Sequence, residues 1–206
     1  MKLFSLLLVS FLLPAAAQAQ SPDSAPDVLV KNVTNEVLDI VRKDKDIQSG
    51  SHQRAIALVE AKVLPHFDFS HMTRLSMARD WRTATPVQQK TLTDEFRTLL
   101  VRTYSKALTE YKNQSIEFKP LKMKAGDTDV KVSTLISQPG SKPIPLDYYL
   151  EKLPQGWKVY DIEVDGISLV INYRESFANE VRKGGIDGLI SSLQAKNRTA
   201  DAAEKK

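Results

Sequence analysis

The 206-residue chain carries 29 Lys and Arg against 25 Asp and Glu, a formal net charge of +4, with 42% hydrophobic residues and no Cys. Without Cys there is neither a disulfide framework nor a thiol for a lipid anchor, and a mild basic excess with no dense basic block argues against nucleic acid as a partner. The length suits one domain with a sizeable core.

The chain opens MKLFSLLLVSFLLPAAAQAQ, with Lys2 as a short positive region, an apolar run from Leu3 to Leu13, and small residues at Ala17 and Ala19. This is the pattern of a secretory signal peptide, residues 1–19, cleaved after Ala19. The apolar run is about a dozen residues where a membrane span needs roughly 20. Residues 20–26, QSPDSAP, are expected to be a disordered leader, and the exported chain a soluble one.

From Asp27 the apolar residues Val28, Leu29, Val33, Val37, Ile40 and Val41 recur at helical spacing, predicting a helix to about Asp46. A break at DIQSGS follows, and Ser51 can cap a second helix with Ile56, Val59 and Val63 on its face, stopped by Pro65. The stretch FDFSHMTRLSMARDW predicts a short helix entered through Asp68 or Ser70. Thr85, Pro86 and Gln88 then form a capping-box pattern with Pro at the first helical position. The helix they open keeps its period through Leu92, Phe96, Leu99, Leu100, Tyr104, Leu108 and Tyr111, about seven turns.

After Asn113 the period changes to two. SIEFKPL, DVKVSTLIS, PIPLDYYLEKL and GWKVYDIEV are candidate strands, and connections as short as theirs make neighbours antiparallel. Beyond Gly166, Leu169, Val170, Tyr173, Phe177 and Val181 fit a helix face that Gly184-Gly185 should end, with Asp187 capping a last short helix and residues 195–206 as a disordered tail. The layout is α+β, a curved antiparallel sheet covered on one face by helices, with additional helices at the N-terminus. Such layers either close tightly or leave a cleft.

Little in the chain is catalytic equipment. His66, Asp68 and His71 match no zinc-ligand spacing, and GGIDG lies between two helices with no strand before it. Asp147, Asp161 and Asp165 fall on or beside the sheet, where an apolar cleft could tune a general base, but Arg97, Arg102 and Arg174 are available to pair with acids. What remains is a surplus of apolar and aromatic residues on the elements that would line a cleft.

Six separated blocks, FDFSHMTRL, WRTATPVQQ, EFRTLLVRTYSKAL, QPGSKPIPLDYYL, GWKVYDIEVDGISLVINYRESF and GGIDGLISSL, resemble in order and spacing the MlaC family of periplasmic phospholipid-binding proteins, also called toluene-tolerance proteins. The resemblance spans Asp27 to Leu193, and the expected domain is 27–194. It departs at SMARDW, where a glycine is expected around Met77 or Ala78. It implies an NTF2-like fold with an apolar cavity between sheet and helices, no catalytic residue, no metal and no cofactor, with bound glycerophospholipid as cargo. It also implies periplasmic shuttling between an outer-membrane lipoprotein-porin complex and the MCE-domain protein of an inner-membrane ABC transporter, maintaining outer-membrane lipid asymmetry. By position, the resemblance makes Leu99, Leu100, Tyr104, Leu108, Tyr148, Leu150, Val170, Tyr173 and Phe177 the lipid-binding candidates, and Arg97, Arg102, Asp161 and Arg174 a structural polar network. The alternatives are an NTF2-like enzyme acting on a hydrophobic small molecule through Asp147 or Asp161, and a protein-binding module with a filled core.

Overall fold

The computed structural model describes residues 24–204; the expected signal peptide and residues 20–23 lie outside the described residues. Helix α1 (Pro26–Lys43) buries Leu29, Val30, Val37, Leu38 and Val41 along one face. It stops earlier than its apolar period suggests because the Asp44 carboxylate accepts hydrogen bonds from the backbone N–H groups of Asp46 and Ile47, at 3.0 and 3.1 Å, and so caps a separate turn, α2 (Lys45–Gln48). Ser51 caps α3 (His52–Lys62) by accepting from the Arg54 N–H, and Pro65 falls in the 3-10 turn that follows.

Asp68, not Ser70, caps α4 (Phe69–Met77), its carboxylate accepting from the His71 N–H at 2.8 Å. The capping box is present with both of its hydrogen bonds and starts α5 (Pro86–Thr109). Between α4 and α5, Ala78 sits at φ +50° and ψ −123°, the geometry of a turn position that glycine normally fills. This is the place where the sequence departs from the family pattern, and the departure is a strained alanine. Ala78→Gly is expected to stabilise the fold by about 1 kcal/mol, seen as a higher urea midpoint at unchanged slope. A lowered midpoint would show that the turn holds alanine without cost.

The sheet is an antiparallel meander in the order β1-β2-β3-β4-β5: Ser115–Phe118, Asp129–Ser137, Ile144–Leu153, Gly156–Val164 and Ile167–Ser168. Strand β1 ends before Pro120, which has no N–H for a ladder. The fifth strand was not expected. Asp165 and Gly166, at φ +50° and +81°, turn β4 back on itself as a two-residue hairpin of the type that Asp-Gly favours. Ser168 then caps α6 (Leu169–Glu204), accepting from the Ile171 N–H at 3.0 Å.

The α6 helix breaks at Gly185 (φ +66°), as the paired glycines predict, but its second half does not end near Leu193. It continues as helix to Glu204, correcting the expected disordered tail over 195–204. Asn197 accounts for part of this: it is buried, its side-chain amide nitrogen donates to the backbone carbonyl and the carboxylate of Glu95 on α5, and its backbone carbonyl accepts from Arg102 at 3.3 Å.

The core is divided. One cluster joins α4, α5 and α6 through Met72, Leu92, Phe96, Leu100, Val170 and Phe177. A second joins α1 to the sheet through Leu29, Val30, Val130, Leu150 and Val159, and a third joins α1, α2 and α3 through Val37, Val41, Ile47 and Leu58. One contiguous core is the usual arrangement. Here the space where the three clusters meet is open.

Candidate functional site

That open space is an apolar cavity in two lobes. One, of about 240 Å³, lies between α1 and the sheet, walled by Leu29, Val30, Val33, Thr34, Ile116 and Tyr148 among others. The other, of about 210 Å³, lies between α3, α4 and α5, walled by Val59, Phe69, Met72, Leu100, Val101 and Tyr104. Val37, Val63, Phe67, Leu108 and Ile162 line both lobes and form the neck between them. Together the lobes reach the size range of small-molecule sites, which is about 300–1,000 Å³.

Local structure explains why these side chains reach the cavity. Along β3 the pleat puts Leu146, Tyr148 and Leu150 on one face of the sheet, the face on which Tyr148 lines the cavity, and Asp147, Tyr149 and Glu151 on the other. Residues 67 and 68 are tied to β4 by a parallel bridge between Phe67 and Val159, with the Asp68 N–H donating to the Val159 carbonyl at 2.9 Å. This pins Phe67 at the neck. On α1, Leu29, Val30, Val33 and Val37 recur at three- and four-residue spacing, so one stripe faces the lobe.

Of the nine positions expected to contact lipid, Leu100, Tyr104, Leu108 and Tyr148 line the cavity. The other five do not. Leu150 is fully buried in the α1–sheet cluster, and Val170 and Phe177 are buried in the α4–α5–α6 cluster, with Leu99 and Tyr173 packed against it. Leu99, Val170, Tyr173 and Phe177 pack against protein because α6 lies against α4 and α5 and fills its apolar face there: Phe96 meets Tyr173 and Phe177 edge to face, both with ring centroids 5.0 Å apart. The contributions of α1, α3, Phe67 and Ile162 were missed. Their only signal was the amphipathic face of α1 and α3, which called for burial without saying against what.

The cavity wall holds few polar groups. The Tyr148 phenol shares a hydrogen bond with Thr34, and burial pushes its pKa up to about 12. Burial likewise raises Tyr104 to about 12, followed by the influence of Tyr173, to which it is hydrogen-bonded. Ser105 is buried and lies 2.9 Å from His52 Nε2. His66 lines the sheet-side lobe, and burial, then the nearby Lys158 charge, holds its imidazole below the ordinary value of 6.5, with Glu36 opposing.

A histidine with a depressed folded pKa binds fewer protons folded than unfolded, so stability is full above the unfolded pKa and falls as pH drops below about 6.5 toward the folded value. His66→Gln should therefore flatten the loss of stability on acidification through that window, measured as Tm against pH. An unchanged slope would show that His66 titrates alike in both states.

Among the described residues, no acid lines either lobe. Asp147 faces the other side of the sheet and accepts from Lys131 Nζ at 2.8 Å, while Asp165 is in the β4–β5 turn. Asp161 accepts from the Ser168 hydroxyl at 2.5 Å and from the N–H groups of Ile162 and Val170, at 2.8 and 3.2 Å, and so secures the start of α6. Burial raises its pKa against those hydrogen bonds. Arg174 donates to the Leu75 carbonyl at 3.2 and 3.0 Å, tying α6 to α4, and Arg97 lies 3.9 Å from Glu60. These groups hold elements together away from the cavity. Of the three histidine-motif residues, Asp68 caps α4 and His71 bonds Glu151 at 2.5 Å, while only His66 faces the cavity.

The molecule is thus an α+β protein with an apolar cavity between its helices and antiparallel sheet, and among the described residues no acid lines that cavity. The MlaC protein family model matches residues 31–195, and the chain belongs to the MlaC family. It is similar to toluene tolerance protein ttg2D of Pseudomonas putida, 29% identical over 97% of this chain and 94% of that protein. The intermembrane phospholipid transport system binding protein MlaC of Haemophilus influenzae is 24% identical over 93% of this chain and 90% of its own length. Among solved structures, the phospholipid-binding protein from Ralstonia solanacearum, determined in complex with a phospholipid, superposes with a TM-score of 0.80 at 38% identity, covering 86% of this chain and 99% of that one.

Proposed function

We propose that this protein is a non-enzymatic periplasmic phospholipid carrier, moving glycerophospholipid between an outer-membrane lipoprotein-porin complex and the MCE-domain protein of an inner-membrane ABC transporter. The observation that carries this reading is the two-lobed apolar cavity, which among the described residues has no acid on its wall, in a fold shared with a relative that was solved with a phospholipid.

The energetics explain why lipid movement needs such a site. Each methylene contributes about 0.8 kcal/mol on leaving water, so one tail of about sixteen carbons costs on the order of 12 kcal/mol to expose. Free passage through water is too rare to matter. The cavity offers tails an environment close to that of the bilayer, which keeps exchange near balance and favours handover directly between proteins. The N-terminal pattern supports export, and no helix among the described residues is long and apolar enough to cross a membrane.

The test is transfer between vesicles: labelled phospholipid should move from donor to acceptor vesicles at a rate that rises linearly with protein, with the lipid recovered chemically intact. Hydrolysed lipid in proportion to time would instead support an enzyme, and no transfer at any protein concentration would sink the carrier reading.

A further inference from the structure

Among the described residues, His66 is the one side chain on either cavity wall that changes charge between about pH 4 and 8. The rest are apolar or carry the neutral hydroxyls of Thr34, Tyr104, Ser105 and Tyr148. The turn that carries the ring is fastened on both sides. The His66 N–H donates to the Val63 carbonyl at 3.0 Å, Lys158 Nζ on β4 donates to the Pro65 carbonyl, and Phe67 bridges to Val159. The backbone thus holds the half-buried imidazole at the sheet-side lobe. Charges reach it from the elements around it: Lys158 on β4 opposes a positive ring, and Glu36 on α1 favours one. Glu36 is itself held 2.6 Å from Lys62 on α3, which divides its pull. Tyr148 on β3 stays neutral throughout this range.

An imidazolium needs water or an anion beside it, and acyl methylenes supply neither. With the lobe empty the ring borders open space; with a tail in the lobe the same edge meets hydrocarbon. We propose that proton binding at His66 and acyl-chain binding in the sheet-side lobe oppose one another, so that acidification loosens the protein's hold on its cargo. This assignment rests on the phospholipid-carrier reading. The sign follows from linkage: the loaded protein binds fewer protons than the empty one, so affinity is full above the empty-state pKa of His66 and falls as pH drops through it toward the loaded-state value. The empty-state value lies below 6.5, which puts the loss of affinity on the acid side of that pH.

The experiment measures phosphatidylcholine binding against pH, a probe whose phosphodiester and quaternary amine do not titrate in this window. Affinity for the natural protein should fall by up to about ten-fold between about pH 7.5 and 5, since one pKa unit between empty and loaded protein is worth ten-fold. His66→Gln should bind alike at both. An NMR titration of the ring in the natural protein should give His66 a lower pKa loaded than empty, and this decides the matter even if the variant folds poorly. A ring that titrates alike in both states, or a folded His66→Gln protein that keeps the full pH dependence, would overturn the proposal and leave the carrier reading standing. A natural protein that takes up no phosphatidylcholine at about pH 7.5 would sink the carrier reading and this one with it.

Discussion

Replacing Leu108 with Trp is expected to empty the protein of phospholipid while leaving it folded. Leu108 is one of five residues that line both lobes, so added bulk there blocks the neck instead of trimming one end. Displacing even two methylenes of cargo lowers affinity by about ten-fold, and an indole at the neck displaces more than that. Stability should change little, because the ring enters open space and does not overpack a closed core. The check is bound lipid per protein beside a thermal melt. Full lipid occupancy in a folded Leu108→Trp protein would mean that the two lobes are not the lipid site.

Phe177→Ala is expected to do the reverse. Phe177 is 2% exposed and stacks edge to face on Phe96, which is 0% exposed, so truncation opens a void among residues with no room to relax. The expected cost is about 3–5 kcal/mol, a large share of the stability of a domain of this size. At a temperature where the variant remains folded, it should still take up phospholipid. A Phe177→Ala protein with natural stability but no lipid would return Phe177 to the cavity wall and contradict the placement of α6.

Much of the fold was legible in the sequence. Thr85, Pro86 and Gln88 fixed the start of α5, Ser51 that of α3, and the change to a two-residue period marked the sheet. These signals are local, set by a few neighbouring residues competing for the same backbone groups. The misses came where a side chain acts against the prevailing period. Asp44 ends α1 with its own carboxylate, Asp165-Gly166 folds back a strand too short to show alternation, and Asn197 holds a polar helix end through a partner 102 residues away.

The site was less legible than the fold, for a physical reason. A residue facing a void and a residue facing another side chain have the same apolar periodicity, so Leu108 and Phe177 look alike in sequence. What separates them is whether the opposing element comes close enough to fill the space. Here α6 packs on α4 and α5, whereas α1 and the sheet stand apart from α5 at Tyr148 and Ile162.

The most direct test of the carrier reading is native mass spectrometry of the exported protein purified without detergent, followed by solvent extraction and identification of any bound lipid. Intact phospholipid in near-stoichiometric amount is the predicted result. Protein at its bare polypeptide mass, unable afterwards to take phospholipid from vesicles, would contradict it and leave the cavity without a lipid to carry.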